Sequence, residues 1–197
     1  MTRNLYVGGD LFLPFVSQDP IGAASTVWAD ILASNVPGRM KAIALEIAGT
    51  RPDLLGVQEA FRFVVPPLGK TAPILLDLDF LALLEGALES PGHWDCDDDG
   101  GDDDVPGIGR WRRAVAQEHT VLTVPFPDRG VQITLIDRDA ILVGPGVKVL
   151  STGGGDFDAE YLATLAGVIP VHLKRGWTEA QVRSEERRVG KECRSRW

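Results

Sequence analysis

Two polar residues stand where apolar strands begin or end. In "PDLLGVQEAFRF" (residues 52–63) the apolar run Leu54 to Val57 stops at Gln58-Glu59. In "TRNLYV", Asn4 sits at the edge of Leu5-Tyr6-Val7. A carboxylate at a strand end is either a solvated terminus or one arm of a metal site. Magnesium suits the second reading, because it keeps several waters and takes only one or two carboxylates from a protein. A neighbouring amide would then face a phosphate oxygen.

Other polar groups offer less. "DRDAIL" (137–142) places Arg138 between two aspartates, either as a contact for a substrate phosphate or as an ordinary turn residue with a local ion pair. His119 closes the run "AVAQEHT" and reads first as a satisfied or surface histidine. Asp10, after Gly8-Gly9, lies near Asn4 in sequence and is a candidate for the outer shell of a metal. In the acidic run 95–104, Asp95, Asp97, Asp99 and Gly100 match the start of a calcium-binding EF-hand loop. Pro106 stands where that loop needs a glutamate, so the run reads as a self-repelling surface insertion over 93–109.

The elements that must carry these residues follow from periodicity. Residues 22–34 are Ala-rich with Val27, Ile31 and Leu32 on one side, a helix pattern. Pro37 opens a second helix with Met40, Ile43, Ala44 and Ile47 at helical spacing, closed by Gly49. Leu5–Val7 and Leu54–Val57 read as strands, and "FRFVVPPLGKTAP" as a loop. Pro73 to Glu89 reads as one long Leu-rich helix. Strands are expected at 111–117, 131–136, 140–143 and 147–150, with "PFPDRG", "DRD" and "GPG" as turns. "STGGGDFDAEYLATLAG" reads as a loop, and "VIPVHLKRGWTEAQV" as two more strands. Helix followed by strand, then closely spaced strands, gives an α/β fold with mixed, largely antiparallel sheets.

The bulk properties agree with one globular domain. The chain has 197 residues, 44% apolar and 24% charged, with no apolar stretch long enough to cross a bilayer. No signal peptide opens it, and the start almost within a strand suggests that residues precede it. Cys96 and Cys193 form neither a disulfide framework nor a zinc pattern. Of the 20 Lys/Arg and 28 Asp/Glu, six and three lie in "RSEERRVGKECRSRW" (183–197). That string matches one reading frame of a common sequencing-library adapter and is read as non-native, leaving a domain over 1–182. Without it the body is strongly acidic, which argues against indiscriminate gripping of duplex DNA.

"MTRNLYVGGDL", "RMKAIALEIAGTRPDLLGVQEAFRF" and "LIDRDAILVGPGVKV" resemble the endonuclease/exonuclease/phosphatase superfamily, the fold of pancreatic deoxyribonuclease. The resemblance covers residues 2–63 well and 111–182 more loosely. It implies a four-layer α/β/β/α sandwich, here partial, and a Mg- or Mn-dependent phosphoesterase. Glu59 would bind the metal and Asn4 would orient the phosphate. The substrate would be a phosphate ester: a small molecule, a lipid head group or nucleic acid. The family's "N-T-H", "G-D-x-N" and final "D-H" motifs are absent, and "GGDF" in 154–157 is only a near match in letters. The expectation is therefore an N-terminal part of such an enzyme, inactive alone. The alternative is a non-catalytic binding module that keeps the fold without the chemistry.

Overall fold

The computed structural model describes residues 1–68, 73–89 and 110–184. The acidic segment 93–109, with His93 and Cys96, lies outside the described residues, as does the tail from residue 185, with Cys193. The described elements are β1 (Thr2–Asn4), α1 (Leu13–Val16), α2 (Pro20–Ala33), α3 (Val36–Thr50), β2 (Leu54–Gln58), β3 (Arg62–Val65), β4 (Leu76–Asp79), α4 (Phe80–Glu89), β5 (Arg112–Phe126), β6 (Val131–Val143), β7 (Val147–Leu165) and β8 (Ile169–Ser184). The fold is α/β, as the sequence implies. A mixed six-stranded sheet carries helices, and β7 and β8 form a separate antiparallel ribbon.

The helices start where the chemistry of their caps dictates. Asp19 accepts a hydrogen bond from the Gly22 amide at 2.9 Å, and Asn35 from the Gly38 amide at 3.2 Å. Each cap satisfies one of the orphan donors of a first turn, and a proline follows it. Helix α3 runs past Gly49 and ends at Arg51, whose left-handed φ of 48° forms the cap in place of glycine. Its stripe of Met40, Ala44, Ile47 and Ala48 is buried. Together with Leu55 and Val57 of β2, Leu142 of β6 and Phe80, Leu81, Leu84 and Leu88 of α4, it forms the main core. Each of the larger side chains, Met, Ile, Leu, Val or Phe, contributes roughly 1.5–3 kcal/mol by leaving water.

Strand β6 organises the sheet. One edge pairs antiparallel with β5 along most of its length. On the other edge its second half pairs with β2, Leu54 opposite Val143, and its first half pairs with β3, Arg62 opposite Ile136. Strands β2 and β3 therefore lie end to end along one partner. Strand β1 joins β2 in parallel, Asn4 opposite Gln58, and β4 joins β3 antiparallel, Arg62 opposite Asp79.

Several elements depart from their sequence patterns. The first strand is Thr2–Asn4, before the apolar triplet rather than at it. "RFVV" is a strand and not part of a loop, because Phe63 and Val65 are buried. The long helix expected from Pro73 begins only at Phe80, and "LDLD" before it alternates as a strand. "DRD" is no turn: it lies in the middle of β6, where residues 131–143 are continuous strand. The Gly-rich stretch expected as a loop belongs to β7, and "VIPVHLKRGWTEAQV" is one strand. Strand β8 continues through Arg183 and Ser184, opposite Lys148 and Val147, two residues into the segment read as a tail. Among the described residues no helix is long and apolar enough to cross a membrane.

Candidate functional site

The junction between β2 and β3 is the singular point of the sheet. There Glu59 takes a left-handed φ of 54°. A non-glycine residue in that region carries strain of about 1–2 kcal/mol. The kink interrupts the strand without releasing it from β6. The Ala60 amide donates to the Arg138 carbonyl at 2.8 Å, and pairing resumes at Arg62. Two other chain segments leave the sheet at this gap. Strand β1 ends at Asn4, after which the Leu5 amide donates to the Gln58 carbonyl. Strand β4 ends at Asp79, after which the Phe80 amide donates to the Phe61 carbonyl. Asn4 and Glu59, singled out separately in the sequence, thus end adjacent parallel strands. The Asn4 side-chain oxygen accepts from the Tyr6 amide at 2.7 Å, leaving the NH₂ of the amide as its donor.

Strand alternation sorts the residues of "DRD" to opposite faces. Arg138 points toward α4 and is 5% exposed. Its Nε donates to the Ala60 carbonyl at 2.9 Å, while Nη2 and Nη1 donate to the Asp79 carboxylate at 2.6 and 3.2 Å. Asp79 Oδ1 also accepts from the Leu81 and Ala82 amides and so caps α4. The proposed contact of Arg138 with a substrate phosphate does not fit this geometry, since its fork is turned inward onto fixed partners. Arg138 instead holds Ala60 by both backbone and side chain, beside the strained Glu59. Asp10 is likewise placed locally: it accepts from the Phe12 amide at 2.9 Å.

Asp137 and Asp139 face the ribbon. Strand β5 has a bulge here, with Glu118 opposite Arg138 and Thr120 opposite Asp137, so His119 is the extra residue. A bulge re-aims a side chain, and both His119 and Thr120 are buried under β8. The His119 Nδ1 lies 2.9 Å from Asp156 Oδ1 on β7, and its Nε2 lies 3.3 Å from Asp139 Oδ2. The second approach lacks hydrogen-bond geometry, since Nε2 has no hydrogen-bond partner, so it counts as an ion-pair distance alone. Thr120 Oγ1 pairs with both the amide and the carbonyl of Lys174. His119 is therefore an interior histidine with one ring nitrogen bonded and the other without a hydrogen-bond partner, not the fully satisfied or surface histidine that its sequence setting suggests, and it docks the ribbon.

Asp137 is different. It is 7% exposed, its Oδ2 lies 3.4 Å from Arg175 Nη1, and its Oδ1 is buried with no hydrogen-bond partner. Burial pushes its carboxyl above the usual range; Arg175 opposes this and Asp139 adds to it, with His119 opposing and Glu59 adding smaller effects. An unfolded aspartate titrates near 3.9, and the folded Asp137 releases its proton at higher pH. Between the two values the unfolded chain holds fewer protons, so stability falls as pH rises through that window. In metal-free buffer, Asp137→Asn is expected to remove that slope and to raise the melting temperature at neutral pH. Equal melting curves for both proteins from acid to neutral pH would contradict it.

Among the described residues, no three His, Cys, Asp or Glu side chains are gathered as a finished ligand set. A hard cation that keeps its waters does not need one. Glu59, half-buried at the strand gap, and the unpartnered Oδ1 of Asp137 are carboxylate oxygens of the kind that magnesium or manganese takes from a protein. The donor chemistry therefore fits the ion. Asp137 and Asp139 had been read only as turn residues, because their shared face becomes visible only once "DRD" is known to be strand. No family model, curated protein or solved structure matches the chain.

Proposed function

We propose that this chain carries the cation- and phosphate-holding wall of a metal-dependent phosphoesterase. The observation behind this is the strained carboxylate Glu59 at a gap in the sheet, next to the Asn4 strand end, with an unpartnered carboxylate oxygen on Asp137 of the adjoining strand β6. In this reading Glu59 holds Mg²⁺ or Mn²⁺, with Asp137 as the second carboxylate. Asn4, its oxygen held by the Tyr6 amide, donates its NH₂ to a phosphate oxygen. Such a cation would polarise the phosphate and offset charge on the leaving oxygen. Strain at the proposed ligand supports the reading, because costly backbone conformations persist where the surrounding structure fixes them and cluster at functional sites.

The sequence holds neither Gly-Asp-x-Asn nor a terminal Asp-His, so the chain alone is expected to bind cation without turnover. Calorimetric titration with Mn²⁺ tests the site. Glu59→Gln should weaken binding at least ~10-fold, the scale even of outer-shell losses in metal sites. Glu59→Gly should do the same while keeping or raising the melting temperature, because glycine relieves the left-handed strain. Undiminished Mn²⁺ binding by both variants would place the cation elsewhere. Metal-dependent phosphodiester turnover by the purified chain would overturn its expected inactivity.

A further inference from the structure

A cavity of about 370 Å³ opens between the N-terminal segment, the β5–β6 face and the ribbon. That is within the ~300–1,000 Å³ typical of ligand sites. Phe15, Leu122, Leu135, Leu173 and Tyr161 give it apolar walls. A second apolar cavity of about 70 Å³, reaching under α2, shares Leu11, Phe15, Leu122 and Leu135 with it. The two adjoin, so their apolar space together suits a flexible chain.

The larger cavity is not apolar throughout. Asp137, Lys174 and Arg175 also line it. Both cations are loosely paired: Lys174 Nζ lies 3.7 Å from Asp156, and Arg175 Nη1 lies 3.4 Å from Asp137. Charge-assisted bonds are normally nearer 2.7–2.9 Å. The Arg175 side chain is 70% exposed, free to turn to another anion. Lys174 and Arg175 line the cavity, so the anionic end of a ligand seated here has two cations to meet.

We propose that the cavity receives the alkyl chain of an anionic amphiphile, an alkyl or acyl phosphate ester, with its head group against Lys174 and Arg175. The choice of phosphate as the head group rests on the phosphoesterase reading. Burying the chain uses the apolar walls, and the head group adds an acceptor for Lys174 and Arg175 while each keeps its distant carboxylate.

Calorimetry with decyl phosphate below its micelle concentration, in EDTA, tests the proposal without requiring a metal or turnover. Decyl phosphate should bind at least ~10-fold tighter than inorganic phosphate, a gain of the size that a few buried methylenes provide, and at least ~10-fold tighter than decanol, which has no charge for Lys174 and Arg175. Leu173→Trp should abolish the gain by filling the cavity. Arg175→Gln, which keeps a donor for Asp137 on a largely exposed side chain, should weaken decyl phosphate ~10-fold and leave decanol unchanged. Glu59→Gln should bind decyl phosphate like the parent, so failure of the cation site and failure of the cavity are told apart. Decyl phosphate binding no tighter than phosphate, or unaltered in both cavity variants, would overturn the proposal.

Discussion

Arg138→Met is expected to cost about 3–5 kcal/mol of stability, the range seen when one partner of a buried ion pair is removed. The loss has three parts. Asp79, held by both guanidinium nitrogens, keeps its charge but loses its hydrogen-bonded cation and is left with Arg62 Nε at 3.8 Å. The Ala60 carbonyl loses its side-chain donor. The cap of α4 then rests on a carboxylate no longer fixed from below. Against the 5–15 kcal/mol that holds a typical domain, this is a large fraction. Chemical denaturation measures it directly. Arg138→Lys should recover only part, because an ammonium cannot make the two-pronged contact. Asp79→Asn, which keeps an oxygen for the helix cap, should cost less than Asp79→Ala. A midpoint for Arg138→Met close to that of the parent would show that the clamp contributes little. The same variant should loosen the Glu59 kink, so its Mn²⁺ affinity should fall further than its stability alone explains.

Gly176→Ala is expected to undock the ribbon from the sheet. A methyl group there would press into the Gly155 carbonyl and the His119 ring, neither of which can yield: one is backbone and the other is buried between Asp139 and Asp156. Overpacking of this kind costs about 1–3 kcal/mol and more where backbone must move. The penalty should be local. Hydrogen exchange should speed up in β7 and β8 while amides around Leu55 and Leu142 keep their protection. Uniform exchange across the whole chain would mean that the ribbon and sheet open together. Because Lys174 and Arg175 flank Gly176 on β8, the same change should also weaken decyl phosphate binding.

The parts of this fold that are legible in the sequence are those with local causes. Helices α2 and α3 carry their own caps and apolar stripes, and β2 is an apolar run between polar ends. The α/β class follows from them. "DRD" misleads because three consecutive charges normally mark a turn. Here each finds a partner off the strand: Asp79 and Ala60 for Arg138, Arg175 for Asp137, His119 for Asp139. "LDLD" alternates like a strand but is submerged in a Leu-rich stretch that favours helix. The glycines of β7 suggest a loop, yet Gly154 lies where the ribbon meets Gln117 and the Trp177 carbonyl too closely for a larger residue to fit freely. At the site, Asn4 and Glu59 stand out as polar strand ends, and the pairing of β1 with β2 makes them neighbours. Asp137 escapes notice because its importance lies in what it lacks, a partner for Oδ1, and that depends on strands far away in sequence.

The end-to-end arrangement of β2 and β3 along β6 also imposes an order of assembly. Strands β5 and β6 are joined by the short Pro127–Gly130 turn and can zip as a hairpin within microseconds. Strand β2 must then find β6 across some eighty residues of chain, and β3 across some seventy, both slow closures. Neither strand sets the other's register directly; only β6 does. The left-handed turn at Glu59 can therefore form only after both have landed, and the strain it holds is taken up last. The candidate site is then among the final parts of the molecule to acquire its native shape, and its backbone should be the first to relax when the sheet begins to open.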